Sequence, residues 1–167
     1  MKRLIIVFFL ISCKNIGYLT YDYINFGEDY EVDMLGDGKY YTKFKAYHSE
    51  GNYYWEIAGE RMVMERDGEW IKADGIPLFI YPLSETSWQL EGYNTTSSGR
   101  EIREGDCFIV ESRITRDSNN IYSIRHYTFK FCKYGISSIA LGGDSLFIKD
   151  SLVSFIDKRT FVRIDDR

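Results

Sequence analysis

Histidine, proline and cysteine are scarce in this chain: two, two and three residues in 167. His48 and His126 stand far apart, with no Cys or carboxylate at metal-ligand spacing beside either. A zinc site needs several such side chains in a tight pattern, so no metal centre is expected. No G-x-S-x-G, H-E-x-x-H or phosphate-cradling glycine loop occurs. The stretch Asp33 to Asp37 lacks the alternating oxygen ligands of a calcium loop. Glu56, Glu60, Glu65 and Glu69 cluster in sequence but alternate with Trp55, Ile57, Met64 and Trp70. That spacing reads as a solvated strand face rather than as the paired carboxylates of a glycosidase. The chain is therefore expected to be no enzyme and to carry no cofactor.

Long apolar runs and blocks of like charge are missing too. The net charge of −4 is spread over mixed signs, which argues against a nucleic-acid partner. The longest apolar run, Leu4 to Ile11, would reach only about 12 Å as a helix. A hydrocarbon core is roughly 30 Å thick, so this run cannot span a membrane. It does follow Met1-Lys2-Arg3, a small positive cap. A charged start, a short apolar core and a small residue at the cut make a secretory signal peptide.

After that core comes Leu10-Ile11-Ser12-Cys13. This segment resembles the lipobox of bacterial lipoproteins, over residues 1 to 13 only. The resemblance implies cleavage before Cys13, lipidation of its thiol with diacylglycerol and acylation (palmitate or a similar chain) of the new amino terminus. Several acyl chains hold a protein on a bilayer almost permanently. Lys14 stands where the family often places an Asp that retains the product in the inner membrane. The resemblance thus implies an outer-membrane lipoprotein facing the periplasm, with the membrane as partner through Cys13. Cleavage removes 12 of 167 residues and, with Lys2 and Arg3, lowers Lys+Arg from 21 to 19 against 25 Asp+Glu, a mature net charge of −6.

What is abundant is aromatic. Fourteen Tyr and eleven Phe contribute to 17% aromatic content, which suits a pleated, half-buried surface better than a helix. Residues 13–38 read as the lipidated cysteine followed by a tether or domain edge, and 39–167 as a single β domain. From Lys39 onwards short alternating runs are separated by turn residues. This predicts an all-β fold, an antiparallel meander of about eight to ten strands forming a barrel-like or sandwich domain. Asp67-Gly68 predicts a two-residue turn that sets Arg66 opposite Glu69 and Met64 opposite Ile71. A second hairpin is expected to join Tyr40–Tyr47 to Tyr53–Ala58 around Ser49-Glu50-Gly51-Asn52. Thr95 to Gly99 reads as a polar loop, Gly142-Gly143-Asp144 as a turn, and Asp150 to Lys158 as a short helix or a strand. Tyr40, Tyr41, Tyr53, Tyr54 and Trp55 form an aromatic group that would serve as binding residues if exposed, or as core if alternate members point inward.

Cys107 and Cys132 are placed by a turn at Asn119-Asn120, residues that tolerate the left-handed conformation. Counting back along both strands sets the two cysteines opposite each other, within disulfide range. The same register pairs Phe108 with Phe131, Val110 with Phe129 and Ser112 with Tyr127 on one face, and leaves Ile109/Lys130 and Glu111/Thr128 on the other. An oxidising periplasm would close this bond.

These readings point to a membrane-anchored, non-enzymatic binding or interaction module, its partner an envelope protein. A lipocalin-like carrier of a small apolar ligand is the second expectation, and requires a dry internal cavity. The third is a periplasmic inhibitor or immunity protein presenting a loop near Thr95–Arg103. Protein purified from the envelope without reductant is expected to have no free thiol at Cys107 or Cys132; two free thiols by non-reducing mass spectrometry would contradict the bridge.

Overall fold

Alternating aromatic and β-branched residues, punctuated by Gly, Asn and Asp, leave the chain little choice but extended strands. The computed structural model describes residues 24, 26–149 and 151–164. The signal segment and Cys13 lie outside the described residues. Among the described residues there is no helix, and fourteen strands form one antiparallel sheet. The first six are β1 (Tyr30–Gly36), β2 (Tyr40–Ser49), β3 (Asn52–Ile57), β4 (Glu60–Asp67), β5 (Trp70–Ala73) and β6 (Ile76–Ile80). The second half holds β7 (Thr86–Gly92), β8 (Thr95–Glu104), β9 (Cys107–Ser118), β10 (Ile121–Cys132) and β11 (Gly135–Leu141). It ends with β12 (Asp144–Ile148), β13 (Ser151–Ile156) and β14 (Arg159–Arg163).

The main path runs β6-β5-β4-β3-β2-β1-β14-β11-β10-β9-β8-β7. Each half is a meander, and the first strand pairs with the last to join them. β12 and β13 leave this path as a flap: β12 pairs with the early part of β10, and β13 pairs with β12 alone. The strand count exceeds the expected eight to ten because stretches read otherwise became strands: β1 lies within 13–38, read as a tether or domain edge, yet pairs with β2 and β14 in the middle of the sheet. Thr95 to Gly99, read as a loop, opens β8 and pairs on both sides, with β7 and with β9. The segment after Asp150 is strand and not helix.

Two turns fall where the residues place them. Glu50-Gly51 and Asn119-Asn120 all have positive φ, as the tight hairpin twisting with its strands requires. The latter sets Ser118 against Ile121 and carries the register through to Phe108 against Phe131. Cys107 and Cys132 are joined by a disulfide with Cα atoms 4.2 Å apart. At Asp67-Gly68 the expected register is off by two. Asp67 pairs with Trp70 and Met64 with Ala73, so the turn is Gly68-Glu69. Gly68 alone takes positive φ there, the requirement of a turn with glycine first. A shift of two keeps every side chain on its face, and Glu65 now opposes Lys72.

The sheet curls until its halves face each other across aromatic rings. Trp55 of β3 is fully buried. Its ring lies 5.5 Å from Phe44, 6.3 Å from Phe79, 5.8 Å from Phe129 and 6.3 Å from Phe131. The curl does not close into a barrel, since the end strands β6 and β7 share no ladder. β6 instead lies against β8 and β9, and side chains there stand in for the missing ladder. The Ser97 hydroxyl donates to the Pro77 carbonyl and the Ser112 hydroxyl to that of Leu78. The Glu101 carboxyl accepts from the Ile80 amide at 2.8 Å and from the Ser84 amide at 2.9 Å. Ser97, Glu101 and Ser112 are the buried polar residues of the core, and each meets backbone that would otherwise be orphaned.

Burial pushes the Glu101 carboxyl up to about 7, against the pull of the Ser84 and Ile80 amides. Unfolding returns it to about 4.5. Between these values the folded chain holds a proton that the unfolded chain does not. This contribution to stability is therefore fully present below pH 4.5 and lost as pH rises through about 7. Glu101→Gln is expected to cost about 1–3 kcal/mol, because its NH2 faces an amide that needs an acceptor. It is also expected to remove this pH-dependent component. Urea melts at pH 5 and pH 8 check this; an unchanged difference between the two pH values would contradict it.

Candidate functional site

Directly opposed residues in an antiparallel ladder share a face, and alternate residues along a strand share it too. On the outer face of the second half, one such row runs Ser87, Arg100, Glu111, Thr128, Ala140 across β7 to β11. The next row is Ser98, Arg113, His126. Together they line an open groove of about 660 Å3, bounded by Gly142, Gly143 and Lys158. Arg100 is held at 2.5 Å by Glu111. Neither Arg113 nor Lys158 makes an ion pair among the described residues. The groove is thus a local excess of positive charge on an acidic protein.

Its backing is rigid. Trp88 lies across Gly99, where an added Cβ would meet the indole and the Glu111 carbonyl oxygen each at 2.4 Å. No larger residue fits there without moving the ring. Tyr127 opposes Ser112 on the buried side. Burial pushes its hydroxyl above the ordinary range, while hydrogen bonding with Arg125 pulls the other way.

The same face continues onto the flap. Tyr122 and Ile124 precede His126 and Thr128 on one side of β10; Tyr122 opposes Phe147 and Ile124 opposes Ser145. The Tyr122 and Phe147 ring centroids are 5.9 Å apart. Phe147 in turn opposes Leu152, and Ser145 opposes Phe155. An apolar surface therefore adjoins the cationic groove without a break. All six residues of β13 are exposed, and Leu152, Val153, Phe155 and Ile156 each leave 52–58% of their surface in solvent.

The flap is rooted firmly. The Gly143 amide donates to Ile156 at 2.7 Å, and the His126 amide to Asp144 at 3.0 Å. His126 Nδ1 lies 3.0 Å from the Gly143 carbonyl. Gly142 has φ +96, and a Cβ there would stand 2.3 Å from the Asp157 carbonyl oxygen.

The residues singled out from the sequence are dispersed. Trp55 and Tyr53 fill the core, and Tyr54 is buried under Arg61, whose guanidinium lies 3.6 Å from its ring centre. Tyr40 packs on Phe161 and Gly36; Tyr41 alone is largely exposed. These five do not form one surface, because alternate strand positions point to opposite faces. His48 pairs with Asp29 at 2.7 Å, remote from the groove. Glu56 accepts from the Tyr47 hydroxyl and Glu60 from Arg159. No cluster of three metal-ligating side chains occurs among the described residues. The groove escaped the sequence reading because its polar residues are spread over four strands, β7 to β10, with Lys158 beyond them. The one available signal was the run from Leu152 to Ile156, where apolar residues fail to alternate with polar ones.

A scan of family models and searches of curated proteins and solved structures return no match to this chain.

Gly142→Ala is expected to loosen the base of the flap. Amide hydrogen exchange over residues 144–156 should accelerate at least tenfold, with the β9–β10 hairpin below it unchanged; equal protection in both proteins would contradict the packing described.

Proposed function

We propose that this chain is an envelope lipoprotein, cut before Cys13 and held by acyl chains on the outer membrane facing the periplasm. Its β domain is a non-enzymatic binding module, and the groove with the adjoining flap is its contact surface. The observation that carries this reading is one unbroken face on which Arg113 and Lys158, both without ion-pair partners among the described residues, stand beside exposed apolar side chains. Apolar and charged groups left together in this way are what an interface recruits.

Neither other reading has an observation in its favour. A carrier needs an apolar interior cavity, and Trp55, Phe79, Phe129 and Phe131 occupy the space between the halves. An inhibitor was expected to present a loop near Thr95–Arg103, and those residues are paired strand.

Radiolabelled palmitate is expected to enter the protein through Cys13, and Cys13→Ala to abolish both labelling and membrane association. A photo-crosslinking residue in place of Leu152 should capture a protein in the envelope, while the same residue in place of Tyr41 should not. Retained membrane association in the Cys13 variant would overturn the anchor. Equal capture from both positions would overturn the surface.

A further inference from the structure

We propose that the partner is an extended polypeptide segment that adds as a strand to the free edge of β13 and carries acidic residues where it passes Lys158 and enters the groove. This deepens the binding reading given above and rests on it.

The unpaired edge is the first argument. Among the described residues β13 pairs with β12 only, so one side of its backbone presents donors and acceptors to which none of them pairs. Edges of this kind are ordinarily blunted by lysine, proline or inward charge. Ser151-Leu152-Val153-Ser154-Phe155-Ile156 contains none of these. What satisfies a row of backbone groups is another backbone, the mode in which extended peptides add to sheets. A lipid or a sugar offers no such ladder.

Charge complementarity is the second. A strand lying along β13 and continuing past Ile156 reaches Lys158, which borders the groove, and then Arg113 across it. Neither cation is neutralised among the described residues. Acidic side chains on the arriving segment would complete these pairs, while its apolar side chains cover Leu152 and Phe155.

Position is the third. Ile24 accepts from the Tyr30 hydroxyl, at the start of β1. The other end of β1, Gly36, pairs with Phe161; beyond it Arg159 pairs with Leu141 and Leu141 with Tyr127. β10 runs on past Tyr127 to Ile121, where the flap attaches. The flap and the chain's entry point thus lie at opposite ends of the strands. The six steps along β1 and the six from Tyr127 back to Ile121 together span about 40 Å at 3.3 Å per step. A chain anchored at Cys13 would enter at the far end, which leaves the flap at the end of the domain remote from the anchor.

The test uses the full-length protein in detergent micelles and fluorescent peptides of about ten residues that alternate Val and Thr. One set ends in a short run of Glu, at either terminus; the matched set ends in Lys. A Glu-ended peptide is expected to bind at least tenfold more tightly than its Lys-ended match. Backbone N-methylation at alternate residues should abolish binding, and Arg113→Glu with Lys158→Glu should reverse the preference. Equal binding of Glu and Lys peptides, or of N-methylated ones, would overturn the proposal. So would displacement of the peptide by phosphatidylglycerol doped into the micelles, or peptide-free protein sedimenting as a dimer that a Phe155→Lys change dissolves. None of these outcomes bears on whether Cys13 is lipidated, so this proposal and the anchor fail separately.

Discussion

A buried carboxyl group holds the ends of this sheet together. Glu101 reaches from β8 to the Ile80 and Ser84 amides, and Ser97 and Ser112 fasten the neighbouring carbonyls of β6. A continuous barrel would have used ladder bonds here, made by backbone on both sides. The chain uses side chains on one side, so the curl is fixed without a fully paired seam. The aromatic core depends on that curl. Phe79 on β6 meets Phe129 and Phe131 on β10 only because β6 is drawn against β8 and β9. The cost is a buried ionisable group, which is tolerable because two amides satisfy it.

The curl also decides what remains outside. With the first and last strands paired in the middle of the sheet, the inner faces of both halves are spent on the core. The outer face of β7 to β11 is left as a shallow groove, and the excursion through β12 and β13 extends it with apolar residues. The disulfide lies at the other end of the β9–β10 hairpin. Closing a loop of about 25 residues removes roughly 3 kcal/mol of unfolded-state entropy. Covalent bracing at one end of the hairpin and an uncovered strand at the other divide it into a structural half and a half available for contact.

Much of the fold was legible because side-chain alternation carries it. The β9–β10 register followed from Asn119-Asn120 alone and set Cys107 against Cys132 and Val110, Phe129 and Phe131 on one face, which the structure buries. Where the reading failed, the partner of a residue was not another side chain. The inner face of β8 is Ser97, Gly99 and Glu101, which looks like a loop because it faces backbone and an indole rather than apolar side chains. The shift at Gly68-Glu69 was invisible because both registers keep the same faces and both offer an opposite-charge pair. The flap was missed for the converse reason. Leu152 to Ile156 is apolar on both faces, and periodicity cannot tell such a strand from a buried helix turn. The five aromatic candidates were dispersed by the same alternation that made the strands readable.

The seam is the claim on which the rest stands, and native-state amide hydrogen exchange reads it directly. The Ile80 and Ser84 amides are predicted to be as protected as the ladder amides of β9 and β10 at pH 5. They should open more readily as pH rises towards 7, while those ladder amides hold. Exchange of both amides at the rate of an exposed loop, or protection that does not change across that interval, would contradict the account.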